Sequence, residues 1–336
     1  MLVKSGTEAM VAGHPVLARV WVLPRREAGE SALGHLRRQW AFARALRRER
    51  FDIVFNTTEG DRGIIFAFLS GARRRIGYLK PGDKWWRRWM LTEPHVWRGE
   101  RRHNVYRNLM LLPPAAEAFP VSVTCPWDEA DWRAVASRLE AAGWRPEQPL
   151  VHVHPVSRWF FKCWPDERMA AAIDHLQIER GARVVLTSGP DVRERERLAA
   201  IAACCHRPPL DLGGRLSLKE VAALSAHSRL FFGVDTAPMH MAAAVGTPVV
   251  ALFGPSGVFE WGPWPNGARA GADPYPARNG VQAAGPHVAI QKAWECVPCG
   301  RDGCDGSKES RCLDELAVEE VLPHIDRALQ LASSRD

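Results

Sequence analysis

The chain has 336 residues, a length that suits two domains of about 150 residues each. Hydrophobic residues make up 46% of it and charged residues 25%, which is typical of a soluble globular protein and excludes a disordered or collagen-like chain. No stretch approaches the roughly 18 uncharged apolar residues of a membrane-spanning helix. The early charges of Lys4, Glu8 and Arg19 argue against a secretory signal, so we expect a cytoplasmic α/β protein.

The net charge of +7 is unevenly distributed along the chain. Residues 1–150 hold 25 Lys and Arg against 16 Asp and Glu, a net charge of +9. Residues 151–336 hold 20 against 22, a net charge of −2. This asymmetry indicates that the first half meets an anionic partner. Nucleic acid, a phosphorylated small molecule and an anionic membrane surface all fit, and charge alone does not choose between them.

In the first half, apolar runs alternate with polar helical stretches. The predicted strands are residues 16–23, 52–56 and 75–78, and the predicted helices are residues 34–48 and 64–70. Residues 113–126 carry several prolines and little helical pattern, so we expect them to form part of the bridge to the second half.

The second half repeats this alternation more clearly. Its predicted strands are residues 150–154, 183–187, 230–234 and 248–253, and its predicted helices are residues 165–176, 194–203, 217–226 and 239–245. The strands are continuous apolar runs, as expected for parallel sheets buried on both faces. The sequence therefore predicts two doubly wound α/β domains, residues 1–125 and 126–336, with a cleft between them.

Four of the eight cysteines lie close together near the C-terminus, at Cys296, Cys299, Cys304 and Cys312. In a chain without an export signal, such spacing indicates a metal site, here zinc, before it indicates disulfides. The spacing is irregular and lacks a second C-x-x-C pair, so the alternative is a C-terminal loop with free or opportunistically oxidised thiols.

Ligands of open parallel sheets bind beyond the carboxyl ends of the strands, and the most informative segment there is GVDTAPMH, residues 233–240. Thr236 and the backbone N–H groups around Ala237 stand at a predicted helix N-terminus, which favours phosphate. Asp235 could cap the turn or hold a ligand hydroxyl. The alternative is that Asp235 and Thr236 only cap the helix and that His240 is a core histidine.

A second segment, residues 154–165, places Ser157, Arg158 and Lys162 in one loop after a strand. A hydroxyl and two cations suit a diphosphate, and a lysine can act as a point charge on a leaving group. The alternative is a solvated basic loop. A third segment, residues 187–191 with Glu194 following, could bind ribose or base edges, although S-G-P-D is also an ordinary turn.

Several common motifs are absent from the sequence: Walker A, G-x-G-x-x-G, H-E-x-x-H, G-x-S-x-G and D-x-D. A nucleotide-sugar enzyme without D-x-D would have to stabilise the diphosphate with lysine, arginine and a helix dipole instead of a metal.

The segment VDTAPMHMAAAVGTPVVALFGPS, residues 234–256, together with HPVSRWFFKCWPDERMAAAIDHL and VVLTSGPD, resembles the ADP-heptose:lipopolysaccharide heptosyltransferases of glycosyltransferase family 9. The resemblance is to the core heptosyltransferase III branch in particular, and it extends to the C-terminal cysteine segment. It implies a GT-B fold, with a first domain for the acceptor and a second for the nucleotide-sugar. It also implies an inverting, metal-independent transfer of heptose from ADP-heptose to the inner core of lipopolysaccharide.

The resemblance further implies which residues bind the donor. Ser157 and Lys162 would contact the diphosphate, and the turn that receives the nucleotide-sugar would contain Asp235, Thr236, Ala237 and His240. Ala237 stands where a glycine is more usual in the family.

Two more donor contacts follow from the same resemblance. Leu216 matches a methionine that flanks the adenine in related enzymes. The family also pairs an acidic residue with the ribose somewhere in residues 191–196, and Asp191 is our candidate.

Members of the family begin with a strand followed by R-x-G-D, whose aspartate is taken as the general base. This sequence starts at MLVKSGTEAM, which matches the second strand region, so we expect the base-bearing segment to lie upstream. The alternative is a truncated or non-catalytic relative that binds nucleotide-sugar without activating an acceptor. Within the given sequence, Glu59 and Asp61 are the acidic groups at the matching edge, and Asp61 joins Lys162 as a candidate catalytic residue.

The acceptor implied by the resemblance is a phosphorylated oligosaccharide on a lipid, which predicts peripheral association with the inner membrane. The basic first half fits this, as does KWWRRW at residues 84–89, where Trp85 and Trp89 are i,i+4 neighbours as in helices at lipid headgroups. The alternative is that these tryptophans pack into the core beside solvated arginines. No recognition helix or RNA-binding motif supports a nucleic-acid partner.

Overall fold

The computed structural model describes residues 1–113, 119–269 and 271–333. It divides the chain into two units, Met1–Glu117 and Ala118–Asp336. From the sequence, we expected the boundary between the two domains to lie after residue 125.

The first unit contains two parallel sheets. Its strands are β1 (Leu2–Lys4), β2 (Trp21–Leu23), β3 (Ile53–Asn56), β4 (Arg74–Leu79) and β5 (Glu93–Val96). Its helices are α1 (Ala32–Arg48), α2 (Asp61–Leu69), α3 (Trp85–Met90) and α4 (Asn104–Leu109). β1 pairs with β2, and β3, β4 and β5 form a separate sheet in that order.

Most of the strands and helices predicted for the first half match these elements, but one predicted strand is too long. The predicted strand over residues 16–23 is reduced to β2, because only the three residues of β2 pair with β1 and residues 14–17 close a turn. The basic helix is confirmed as α1, where the hydroxyl of Ser31 accepts the Gly34 N–H at 3.0 Å and caps the first turn. Residues 114–118, within the predicted bridge, lie outside the described residues.

The second unit is larger. Its strands are β6 (Pro120–Val121), β7 (Leu150–His154), β8 (Arg183–Leu186), β9 (Leu210–Asp211), β10 (Leu230–Val234), β11 (Val249–Phe253), β12 (Ala268–Arg269), β13 (Gln282–Ala284) and β14 (His287–Gln291). Its helices are α5 (Glu129–Ala141), α6 (Asp166–Asp174), α7 (Val192–Cys204), α8 (Leu218–Ala226), α9 (Ala237–Ala244), α10 (Val258–Trp261), α11 (Arg311–Asp314) and α12 (Val318–Ser333).

A seven-stranded sheet organises this unit, in the order β13-β14-β11-β10-β7-β8-β9. All of its neighbouring strands are parallel except β13, which pairs antiparallel with β14. From β7 the chain builds outward through β8 and β9, then returns to β10 and builds the other way. The strand order therefore reverses between β7 and β10, which is where a doubly wound sheet binds its ligand. The predicted α/β fold with a large parallel sheet is confirmed.

The central strands are buried on both faces, which explains their continuous apolar sequences. On one face, Val153 and Phe232 belong to a core that includes residues of α6 and α12. On the other face, Phe231 and Phe253 pack with Met239 of α9. Two apolar layers thus hold the carboxyl ends of β7 and β10 in fixed positions.

No helix in the described parts of the chain is both long enough and apolar enough to cross a bilayer.

Candidate functional site

The loops after β7 and β10 meet at the reversal of strand order. Lys162 ends a short 3-10 turn in the loop after β7, and its Nζ lies 2.6 Å from Oδ2 of Asp235, the first residue after β10. The lysine side chain is 22% exposed and that of the aspartate 7%. The two segments that the sequence singled out are therefore joined by a largely buried ion pair.

The close approach of β7 and β10 depends on Gly233. A Cβ atom at this position would lie 2.4 Å from the carbonyl oxygen of His154, its partner in the strand register. A larger residue would push the strands apart and would move Asp235 away from Lys162.

The turn after Asp235 opens helix α9. Thr236 is the N-cap residue, but its hydroxyl donates to the carbonyl of Val234 at 3.2 Å and makes no capping bond to the helix. Ala237, the first helical residue, is exposed. The first turn of α9 therefore keeps its backbone N–H groups free of a side-chain cap, and the helix dipole there favours an anion.

Ser157 and Arg158 differ in their surroundings although they are neighbours. Ser157 is buried, and its hydroxyl accepts the Trp159 N–H at 3.2 Å. Arg158 is exposed and stacks 5.6 Å from the ring centre of Trp159. Lys162 is thus the cation of this loop that the structure brings to Asp235.

His240 lies on α9 beside the ion pair. Burial lowers its pKa, and the positive charge of Lys162 lowers it further, although the carboxylate of Asp235 acts in the opposite direction. Its ring centre is 6.4 Å from that of Trp261. The net effect lowers the pKa of His240 and so favours the neutral form of its imidazole.

A buried polar network beneath the loops was missed by our sequence reasoning. Thr187 Oγ1 lies 2.7 Å from His152 Nε2 and 2.8 Å from His154 Nδ1, and His152 Nδ1 lies 2.8 Å from Ser225 Oγ. Burial lowers the pKa of His154 to about 4 and that of His152 well below its usual value. The segment LVHVH, residues 150–154, could have indicated this network. Residues two apart in a strand face the same side of the sheet, so His152 and His154 point the same way.

The remaining predicted donor contacts lie along the same sheet edge. Asp191 follows β8 and caps α7, where its Oδ1 accepts the Arg193 N–H at 2.9 Å. Glu194 accepts the Gly189 N–H at 2.9 Å. Leu216 follows β9 and is partly buried against the apolar cluster around Leu210.

Asp61 and Glu59 lie in the first unit, in the segment after β3. Both carboxylate oxygens of Glu59 are bonded, to Lys80 Nζ and Arg107 Nη2, each at 2.7 Å. The hydrogen bond from Lys80 and the charge of Arg107 lower its pKa. Asp61 is half exposed and lies 3.5 Å from Arg87 Nε and 3.7 Å from Lys84 Nζ. Of the two, Asp61 is held less tightly by cations.

The zinc site predicted at Cys296, Cys299, Cys304 and Cys312 is not supported. Among the residues that the structure describes, no three His, Cys, Asp or Glu side chains are grouped so that they could hold a metal ion. All four cysteines are free thiols, and Cys296 and Cys299 are exposed. Burial raises the pKa of Cys312 to about 12, and the charges of Cys304, Cys299 and Cys296 raise it further.

The family model for glycosyltransferase family 9 (heptosyltransferase) matches residues 39–279, which contain both loops of the site. The chain belongs to glycosyltransferase family 9. The resemblance of the DTAPMH and GTPVVALFGP segments to this family is thereby confirmed.

Two curated relatives and one solved structure give the extent of the similarity. The chain is 35% identical over 227 residues to lipopolysaccharide heptosyltransferase 3 of Escherichia coli, across 66% of this chain and 65% of the relative, slightly less than two thirds of its length. It is 31% identical over 266 residues to lipopolysaccharide heptosyltransferase 3 of E. coli strain K12, across 79% of this chain and 76% of the relative.

The structure of E. coli ADP-heptose lps heptosyltransferase II superposes with a TM-score of 0.71 at 17% identity. The match covers 99% of this chain and 89% of that one. At this level of identity the comparison establishes a shared fold.

Proposed function

We propose that this chain transfers heptose from ADP-heptose to a core sugar of lipopolysaccharide by an inverting reaction that needs no metal. Its membership of glycosyltransferase family 9 and the names of its relatives support this reaction class. The observation that carries the proposal is the Lys162–Asp235 pair, which lies beside the N-terminus of α9 where the strand order reverses. A cation and uncapped helix N–H groups at one point favour a diphosphate.

The order of the strands supports a direction for the donor. Along the carboxyl edge of the sheet, Asp235 follows β10 and Lys162 lies in the loop after β7, whereas Asp191 lies after β8 and Leu216 after β9. Three strand spacings cover about 14 Å, which suits an extended nucleoside diphosphate. In this arrangement the phosphates lie over β7 and β10, the ribose meets Asp191 and the adenine lies against Leu216.

The chemistry follows from this placement. An acceptor hydroxyl oxygen attacks the anomeric carbon of the heptose, the bond from that carbon to the phosphate oxygen breaks, and ADP leaves with the bonding electrons. One displacement inverts the configuration. Lys162 and the N-terminus of α9 stabilise the negative charge on the departing ADP, which is the role that a metal serves in other transferases.

The proton of the acceptor hydroxyl needs a base, and of the two acidic groups at this edge within the given sequence the contacts favour Asp61 over Glu59 for this role. Glu59 is bonded to two cations that stabilise its charged form and weaken it as a base. Asp61 is half exposed and its cationic neighbours lie at 3.5 Å or beyond. The assignment requires the carboxylate to come within about 3 Å of the hydroxyl, directly or through one water.

We propose a phosphorylated core sugar on a lipid as the acceptor, because the net charge of +9 in residues 1–150 favours such an anion. An enzyme with this acceptor works at the cytoplasmic face of the inner membrane, as a peripheral protein.

Calorimetric titration with ADP, UDP and GDP in EDTA tests the donor assignment. The proposal predicts that ADP binds without metal and that UDP and GDP bind at least about tenfold more weakly, because Leu216 and its surroundings accept adenine. Equal affinity for the three nucleotides, or binding that depends on a divalent cation, would contradict it.

A further inference from the structure

The second unit contains a cleft between helix α7 and the C-terminal cysteine segment. Its volume is about 390 Å³, which falls within the usual range for sites that bind small molecules. The described residues that line it do not include Lys162 or Asp235, so it is separate from the ion pair of the candidate donor site. We call it the α7 cleft, defined by Phe160, Arg193, Arg197, Lys308, Glu309, Ser310 and Asp314.

The two arginines of the α7 cleft share an aromatic neighbour. The guanidinium carbons of Arg193 and Arg197 lie 4.8 Å and 5.2 Å from the ring centre of Phe160. Among the described residues, no carboxylate forms an ion pair with Arg193. The ring therefore positions two cations at one wall of the cleft, and the charge of Arg193 is not matched by a partner.

Arg197 is also fixed by hydrogen bonds. Its Nε donates to Oδ1 of Asp166 at 2.8 Å, and its Nη2 donates to the carbonyl of Trp164 at 3.1 Å. Its Nη1 has no partner in the part of the chain that the structure describes. A guanidinium that is held in one orientation and keeps free N–H groups is well suited to the oxygen atoms of a phosphate.

Lys308 brings a third cation to the α7 cleft. Its Nζ lies 2.9 Å from Oδ2 of Asp302, but the two side chains are 64% and 59% exposed. An ion pair so exposed contributes little, because water screens it. Lys308 can therefore exchange Asp302 for an anion in the cleft at small cost.

Ser310 supplies the observation that points to a ligand. It is 4% exposed and lines the α7 cleft, and its hydroxyl has no hydrogen-bond partner among the described residues. Its carbonyl oxygen is occupied, since it accepts the N–H groups of Leu313 at 2.8 Å and Asp314 at 3.0 Å. A buried hydroxyl without a partner is costly, and a polar group bound in the cleft would satisfy it.

Two acidic residues of the α7 cleft restrict the kind of ligand. Burial raises the pKa of Asp314 and the charge of Glu309 raises it further, although Arg168 and Arg197 act in the opposite direction. The described residues form no group of three possible metal ligands, so these carboxylates do not form a cation site. Carboxylates accept hydrogen bonds from hydroxyl groups, whereas arginine and lysine donate to phosphate. The mixture fits a molecule that carries both groups.

We infer that the α7 cleft binds a phosphate ester of a small hydroxylated molecule, such as a sugar phosphate. The phosphate would contact Arg193, Arg197 and Lys308, and the hydroxyl groups would meet Ser310 and Asp314. The volume of the cleft leaves room for the organic part of such an ester beside its phosphate. The inference does not rest on the proposed reaction, because it concerns residues to which that reaction assigns no role.

The test is a titration of the full chain with glucose 6-phosphate and with inorganic phosphate, followed by phosphorus NMR line broadening at constant ionic strength. We expect glucose 6-phosphate to bind more tightly than inorganic phosphate. Arg193→Gln and Lys308→Gln should each raise its Kd about tenfold, since each removes a charge-assisted contact. Ser310→Ala should raise it about threefold. Arg195→Gln is the matched control, because it removes an exposed cation of the same helix that does not line the cleft.

Lys162→Ala separates the α7 cleft from the candidate donor site. It should leave the affinity for glucose 6-phosphate unchanged, and Arg193→Gln should leave the affinity for ADP unchanged. If the wild type did not bind ADP, the donor proposal would fail, whereas the titration with glucose 6-phosphate would still decide this inference.

Three results would overturn the inference, with circular dichroism showing that each protein is folded. The first is a wild type that does not bind glucose 6-phosphate, or binds inorganic phosphate more tightly. The second is wild-type affinity for glucose 6-phosphate in both Arg193→Gln and Lys308→Gln. The third is a loss of that affinity in Lys162→Ala as large as in Arg193→Gln, which would make the cleft part of the donor site.

Discussion

Lys162 and Asp235 are 73 residues apart in the sequence, and their side chains meet at 2.6 Å across the boundary between the two halves of the doubly wound sheet. A diphosphate bound at Lys162, as proposed above, would share this cation with Asp235.

Lys162→Ala should weaken ADP binding by about 1.5–3 kcal/mol, which is a 10- to 150-fold increase in Kd, because a charge-assisted contact to the diphosphate is lost. Calorimetry of both proteins with ADP measures this. Lys292→Ala is a matched control, since Lys292 forms an ion pair with Glu320 at 2.7 Å elsewhere in the same unit. Equal affinity of wild type and Lys162→Ala would remove Lys162 from the donor site.

Asp235→Asn should leave ADP affinity within about threefold, or increase it, because the substitution frees Lys162 from a competing carboxylate. The same variant should raise KM for ADP-heptose if Asp235 also holds a sugar hydroxyl. Calorimetry with ADP and steady-state kinetics with the complete donor separate the two effects. A tenfold loss of ADP affinity in a folded variant would show that Asp235 supports the diphosphate in some other way.

Asp61→Asn should lower kcat by about 100-fold or more while ADP affinity stays unchanged, because a general base acts on the acceptor and not on the donor. Glu59→Gln is the comparison, since its carboxylate is already bonded to Lys80 and Arg107. We expect it to reduce kcat much less. Full turnover by Asp61→Asn would assign the proton to another group.

Acidification should destabilise the fold between pH 7 and pH 5. The pKa of His154 is lowered to about 4 in the folded protein, whereas an unfolded histidine titrates near 6.5. The unfolded chain therefore takes up a proton that the folded chain cannot, and stability falls as pH falls. His154 alone contributes about 2 kcal/mol of this loss at pH 5.

Thermal unfolding of the wild type and of His154→Gln at pH 7 and pH 5 measures the effect. The variant should be less stable at pH 7 but should lose less stability on acidification. His14→Gln, at a partly buried histidine of the first unit, should follow the wild type. Identical pH dependence in His154→Gln and the wild type would show that His154 does not carry the effect.

The strands that could be predicted from the sequence are those that are buried on both faces of the sheet. β7, β10 and β11 are apolar throughout because helices cover both faces, so their sequences differ sharply from their neighbours. Two-residue strands such as β6 and β12 are defined only by their pairing with each other, which no local pattern reveals. We likewise made no prediction of α12, although its residues complete the core on one face of the sheet.

The sequence predicted which segments form the site, but it did not predict the contacts between their side chains. The rule that ligands bind at the carboxyl ends of parallel strands was enough to select the Ser157–Lys162 and Asp235–His240 segments. It could not predict the ion pair between Lys162 and Asp235, because that contact depends on the order of strands in the sheet. The zinc site suggested by the cysteine spacing is unsupported for a related reason: proximity in sequence does not by itself create a ligand geometry, and none is found among the described residues.

The most direct measurement is mass spectrometry of the acceptor after incubation of this chain with ADP-heptose and phosphorylated lipopolysaccharide core in EDTA. The account predicts that the acceptor gains the mass of one heptose, that ADP is released in equal amount, and that Lys162→Ala reduces the rate strongly. An acceptor of unchanged mass, with a folded protein that binds ADP, would contradict the proposed transfer and leave a protein that only binds the nucleotide.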